Sequence, residues 1–167
     1  MRAEERRQAI REILQQSDQP LSATALANCF SVSRQVIVGD IALLRASGAD
    51  ISATPRGYVI LTSPVGLIHQ IPCQHHSVAD MEAELNIMVD HGCTVLDVIV
   101  EHPIYGQLTG PLQLSNRYDV AQFIARGPQL LSALTEGIHL HTLSCPSEDA
   151  FIRVQNALLA AGILLEG

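Results

Sequence analysis

The sequence predicts an α+β protein in two parts: a small helical module carrying a β-hairpin, then a sandwich of one sheet with helices packed on it. Three observations point there. Apolar residues recur at helical spacing in the N-terminal part, and strand-like runs alternate with capped helices afterwards. Charge divides the chain, since residues 1–61 carry seven arginines against six acids and residues 62–167 three arginines against eleven acids. All seven histidines lie beyond residue 61. Such asymmetry marks halves with different work. The stretch LTSPVGL, with Pro64 and Gly66, is a natural boundary, and the expected domains are 1–62 and 67–167.

With 167 residues, 47% of them apolar, the chain has material for a real core, which excludes disorder. The N-terminus MRAEERRQAIREIL is charged and periodic and lacks the apolar segment of a signal peptide. No apolar run reaches the roughly 18 residues of a membrane span. The expectation is a cytoplasmic protein with no membrane partner. Cys29, Cys73, Cys93 and Cys145 are scattered with no CxxC pair, so they are expected as buried free thiols.

The first helix follows from Ala9, Ile10, Ile13 and Leu14. Pro20 breaks it, and Ser22 caps a second helix through Leu26. Ser33 caps a third, with Ile37, Ile41 and Leu44 on its buried face and Gly48 at its end. The short join around Phe30 to Val32 has helix-turn-helix spacing. DISATPRGYVIL then reads as two short strands around a Pro-Arg-Gly turn. Three helices and a hairpin make a winged helix. VSRQVIVGDIALLRASG followed by TPRGYVI closely resembles the winged helix-turn-helix repressors.

In such a module Ser33, Arg34 and Gln35 stand on the exposed first turn of the second helix of the motif, the part that enters the major groove. Arg and Gln read guanine and adenine edges with paired hydrogen bonds, and Ser33 beside a helix N-terminus can hold a phosphate. Arg56 sits at the wing tip, within reach of a phosphate or the minor groove. Without that context these are ordinary solvated polar residues. Gly39 departs from the resemblance, where a polar or basic side chain is usual, and it weakens the helix by about 1 kcal/mol relative to alanine. A module of net charge +1 has little nonspecific pull on DNA. Modest affinity per subunit, raised by a homodimer on a palindromic operator, is the expectation.

In the acidic half, LIHQIPCQ reads as a strand and SVADMEAELNIMVDHG as a helix capped at Ser77 and stopped at Gly92. TVLDVIVEH and QLTGPLQL are strands joined by a turn containing Pro103 and Gly106. NRYDVAQFIARG is a helix, GIHLHTLSC a strand, SEDAFIRVQNALLAAG a capped helix and ILLE a last strand. The order is β-α-β-β-α-β-α-β, with helices mainly on one face. His139 and His141 are two apart on a strand and so point the same way. They suit either a metal or a polar patch on a solvated sheet face, and two ligands do not make a site.

QHHSVADMEAEL, DVIVEHPIYGQLTG and EGIHLHTL resemble the successive signatures of the 3H domain, a histidine-bearing domain. A winged helix followed by a 3H domain is the arrangement of the niacin-responsive transcriptional repressors, the NiaR-like family, and the resemblance spans essentially the entire chain. It implies a repressor of genes for making or taking up NAD precursors, with nicotinic acid as co-repressor and no enzymatic activity. It also implies a metal site drawn from a histidine and a glutamate of the first strand–helix segment and both histidines of HxH, here His76, Glu84, His139 and His141. Either His75 or His76 could serve by sequence. His76 is chosen because it precedes Glu84 by eight positions, as in the family motif, which leaves His75 exposed. Three imidazoles and a carboxylate suit one zinc, nickel or ferrous ion per chain rather than calcium or magnesium. His102 and Tyr105, in the rigid turn EHPIYG, are the candidate nicotinate contacts, against the plainer reading of a turn histidine bonded to backbone. His69 and His91 read as surface or satisfied histidines, and Glu82 and Glu101 as solvated charges.

Two other functions use the same site. A metal-dependent hydrolase would need an open coordination position and a second general base, which the chain does not obviously supply. In a metal sensor the ion itself would be the signal.

Overall fold

A computed structural model describes residues 1–61, 65–127 and 136–167. The chain divides into two compact units, 1–63 and 64–167. The boundary expected around Pro64 falls partly on residues 62–64, which lie outside the described residues.

The first unit contains α1 (Ala3–Gln16), α2 (Ala23–Phe30), α3 (Arg34–Ala46) and the antiparallel pair β1 (Ile51–Thr54) and β2 (Gly57–Ile60). Ser22 and Ser33 cap α2 and α3, their hydroxyls accepting from the amides of Ala25 and Val36. The turn between these helices passes through Ser31 in the left-handed region, at φ 54°. Ile10, Leu14, Leu26, Ile37, Ile41 and Leu44 fill one core. Asp40 is buried beside it and accepts from Arg6, Nε to Oδ2 2.6 Å and Nη2 to Oδ1 3.3 Å, tying α3 to α1. Leu21 bridges to Tyr58, exchanging backbone hydrogen bonds of 2.9 and 2.8 Å. Gly57 allows that approach: at φ 134° a Cβ would lie 2.4 Å from the Leu21 backbone.

The second unit contains β3 (Leu67–Gln74), α4 (Val78–Asp90), β4 (Thr94–His102), β5 (Gly106–Leu114), α5 (Arg117–Ala125), β6 (Ile138–Cys145) and α6 (Glu148–Ala160). The strands form one antiparallel sheet in the order β3-β6-β4-β5. Ser77, Asn116 and Ser147 cap the three helices. Period-two alternation sends Ile71 and Cys73 of β3, and His139, His141, Leu143 and Cys145 of β6, to the interior. Leu85, Met88 and Val89 of α4, Val120 of α5, and Val154 and Leu158 of α6 belong to the same core. Ile68 and Ile138, of opposite parity, stay exposed.

Two expectations are corrected. The terminal ILLE is not a strand: Leu164 makes an isolated bridge to Cys73, because only the Ile163 carbonyl and the Leu165 amide bond to β3, at Gln74 and Pro72. Cys29 is exposed, whereas Cys73, Cys93 and Cys145 are buried free thiols as expected. Cys29 lies in the last turn of α2, away from the face that carries Leu26 and Ala27 inward.

Candidate metal centre and nucleic-acid interface

Three elements of the second unit bring four donors together. Residues opposite one another on antiparallel strands share a face, so His139 stands beside its partner Cys73, and His141 beside Ile71. Pairing continues past β3, with the His75 amide donating to the Gly137 carbonyl at 3.3 Å. His75 therefore keeps the inward parity of Ile71 and Cys73. Glu84, on the buried face of α4, points at all three imidazoles and is itself fully buried. His75 Nε2 lies 2.6 Å from Glu84 Oε2, His139 Nε2 3.0 Å from Oε1, and His141 Nε2 is in short contact with Oε1.

His76 is exposed and His75 takes the inward place at the cluster, which corrects the expectation of an exposed His75. The reason is strand parity: moving one residue along an extended segment turns the side chain to the opposite face.

The second nitrogen of each β6 histidine is occupied. His139 Nδ1 meets the Gly137 carbonyl at 2.8 Å, and His141 Nδ1 the Asp97 carbonyl at 2.7 Å. A carbonyl only accepts, so each Nδ1 carries the proton. Each Nε2 then faces Glu84 either as a lone pair or, if protonated too, as part of an imidazolium. Filling every contact with protons would bury several imidazolium charges against one carboxylate. A cation receiving the Nε2 lone pairs resolves this, and hydrogen-bonded Nδ1 atoms are how ligating histidines are usually oriented. His75 agrees: among the described residues both its ring nitrogens lack a hydrogen-bond partner although the side chain is buried. Its Nε2 is close to Glu84 in distance but misaligned as a hydrogen bond, so the close approach does not satisfy the ring. The donor set fits a divalent transition ion.

Burial would raise the Glu84 carboxyl, but the facing His141, His139 and His75 outweigh it and hold the group well below the usual carboxylate range. Burial would lower His141, but the Glu84 charge outweighs it and the imidazole is raised. The site is thus built for a carboxylate facing positive charge. Cys73 Sγ also belongs to this neighbourhood, its sulfur, a Glu84 oxygen and a His139 nitrogen lying within 4.8 Å of one another.

Gly137 is a backbone requirement of the site. It has φ 86°, and a Cβ there would lie 2.1 Å from the His75 carbonyl oxygen. Its own carbonyl serves both the His75 amide and His139 Nδ1.

His102 and Tyr105 are not brought to the cluster. Val98 is the β4 partner of His141, and His102 lies four residues further along, about 13 Å of strand. His102 Nδ1 accepts from the amides of Ile104 and Tyr105 at 3.1 Å each, and Tyr105 is largely exposed. Neither lines the cavity of about 350 Å³ bounded by Pro72, Ile99, Ile138, His139 and Leu140. His69 is satisfied, bonded to Glu148 at 2.9 Å and stacked on Phe151. His91 ends α4 as its C-cap, and Glu82 and Glu101 are exposed.

In the first unit Arg34 and Gln35 are exposed on the opening turn of α3, while the Ser33 hydroxyl is engaged in the cap. Arg56 donates from Nη2 to Gln19 Oε1 at 2.8 Å in the β1–β2 turn. Gly39 is exposed, and a Cβ added there would meet nothing within 4 Å.

A helix-turn-helix with a wing, followed by a sheet-and-helix domain built around buried histidines, defines a two-domain regulator class. An HTH domain family matches residues 6–59 and the 3H domain family residues 69–167. The chain is 40% identical over 168 residues to the probable transcription repressor NiaR of Thermotoga maritima, covering 98% of this chain and 95% of that protein. It is 42% identical over 161 residues to the transcription repressor NadR of Bacillus subtilis, covering 92% and 89%. The chain belongs to the NiaR-like family of DNA-binding transcription repressors. Among the described residues no helix is long and apolar enough to cross a membrane.

Proposed function

We propose that this repressor controls genes for making or taking up NAD precursors, that nicotinic acid is its co-repressor, and that one divalent transition metal per chain sits among His75, Glu84, His139 and His141. The observation that carries the sensory half is the buried Glu84 carboxylate faced by three imidazoles, one of them with no hydrogen-bond partner on either nitrogen among the described residues. The DNA-reading half rests on Arg34 and Gln35, exposed on the first turn of α3.

Nicotinate is an anion, and residues 62–167 carry three arginines and no lysine against eleven acids. Arg117 is already paired with Asp90 at 2.5 and 2.7 Å. A bound metal ion would supply the positive centre that a carboxylate needs there. Residues 6–59 match an HTH domain family, which weighs against the hydrolase reading. The working form is a homodimer on a palindromic operator, because one recognition helix covers only a few base pairs. The effector acts by favouring the dimer geometry that places both helices, and its leverage is limited to its differential affinity for that geometry.

The test is a mobility shift on DNA upstream of NAD-precursor genes, with and without nicotinate, using metal-loaded protein. Nicotinate should strengthen binding, and nicotinamide, which lacks the charge, should not. A shift unchanged by saturating nicotinate removes the co-repressor role.

A further inference from the structure

Cys73 is buried, points to the same side of the sheet as His139, and is the residue directly opposite it. Its sulfur, a Glu84 oxygen and a His139 ring nitrogen lie within 4.8 Å of one another. Hydrophobic packing alone would account for a buried thiol. Two features here go further. The strand places Ile71, Cys73 and His75 in one inward row, so the sulfur stands between the core and His75. Among the described residues His75, 5% exposed and facing Glu84, has no hydrogen-bond partner on either ring nitrogen, so the polar centre beside the thiol includes an unsatisfied nitrogen ligand.

We propose that Cys73 is a sulfur ligand of this metal, joining the imidazoles and Glu84 and setting the site's preference toward softer ions. The inference rests on the proposed metal centre and deepens it. On coordination the S–H bond breaks, the sulfur keeps the electron pair and donates it to the ion, and the proton leaves to solvent. No redox step is involved. A thiolate beside imidazoles selects zinc, cobalt or copper(I) over manganese and magnesium. It also adds a second anionic donor to a centre that otherwise holds Glu84 alone.

The experiment loads purified full-length protein with cobalt(II), with the exposed Cys29 replaced by Ser so that it cannot contribute. Cobalt bound through thiolate shows an intense near-ultraviolet charge-transfer band, whereas nitrogen and oxygen ligation alone shows only weak visible bands. The inference expects the band in the C29S protein and its loss in C29S with Cys73→Ala, with cobalt still bound through the histidines and Glu84. Bound cobalt without the band in the C29S protein overturns the sulfur assignment and leaves the histidine–glutamate centre standing. Absence of any bound cobalt overturns both. The first measurement needs no change at Cys73, so an unstable Cys73→Ala protein does not shield the inference.

Discussion

His75 and Glu84 meet at 2.6 Å in a fully enclosed part of the second unit, one at the end of an extended strand and the other on the buried face of α4. They are nine positions apart, and neither would be placed in a core by its polarity. An acid and an imidazole are buried there because each has charged or polar partners at the site, and the histidine ring is left without a well-aligned one.

Gly137→Ala should damage this centre without touching a donor. The added Cβ would lie 2.1 Å from the His75 carbonyl oxygen, and φ 86° is strained for any residue with a side chain. Either His75 or the loop must move. We expect weaker metal binding by calorimetry, while the first unit keeps its own unfolding transition. Metal affinity equal to the parent would contradict the role given to Gly137.

Gly39→Ala should stabilise the first unit by about 1 kcal/mol, the helix-propensity difference. The site is exposed, with nothing within 4 Å of the new methyl, so no clash offsets the gain. Urea denaturation followed by helix signal checks this, and a midpoint that falls would show an unseen constraint at that position.

Arg34→Ala should weaken binding to the cognate operator by about 1–3 kcal/mol and relax base preference at one position of each half-site. Arg56→Ala should weaken all sequences more evenly and flatten the salt dependence. Fluorescence anisotropy across a salt series separates the two, and parental binding by both mutants would move the DNA interface elsewhere.

Light scattering at micromolar concentration should give a dimer, with DNA bound as one dimer per palindrome. A monomer binding DNA one to one would contradict the proposed assembly.

Most of the architecture is legible in the sequence because its signals are local. Ser22, Ser33, Ser77 and Ser147 read as helix starts and each caps one, since an N-cap needs only its own side chain and the amide three residues on. The pair His139 and His141 is legible from period two. Counting back from Glu84 selects His76, which the structure leaves exposed. The deciding signal is strand parity from Ile71 and Cys73, which is present in the sequence and selects His75. ILLE fails as a strand for a different reason: its partner strand is long-range, and only the tertiary packing against Pro72 and Gln74 decides how many residues pair. The separation of His102 and Tyr105 from the histidine cluster depends on the β4–β6 register, which no local pattern carries.

The most direct test of the metal centre is elemental analysis of the parent, His75→Ala and His76→Ala proteins, purified in parallel and dialysed against metal-free buffer. One tightly bound transition metal per chain is expected in the parent and in His76→Ala. Substoichiometric or readily lost metal is expected in His75→Ala, because removing an inward donor opens the site while an exposed histidine contributes nothing to it. Full metal in His75→Ala together with loss in His76→Ala would contradict the geometry of the cluster. No metal in any of the three, after reloading with zinc or nickel, would contradict the centre itself.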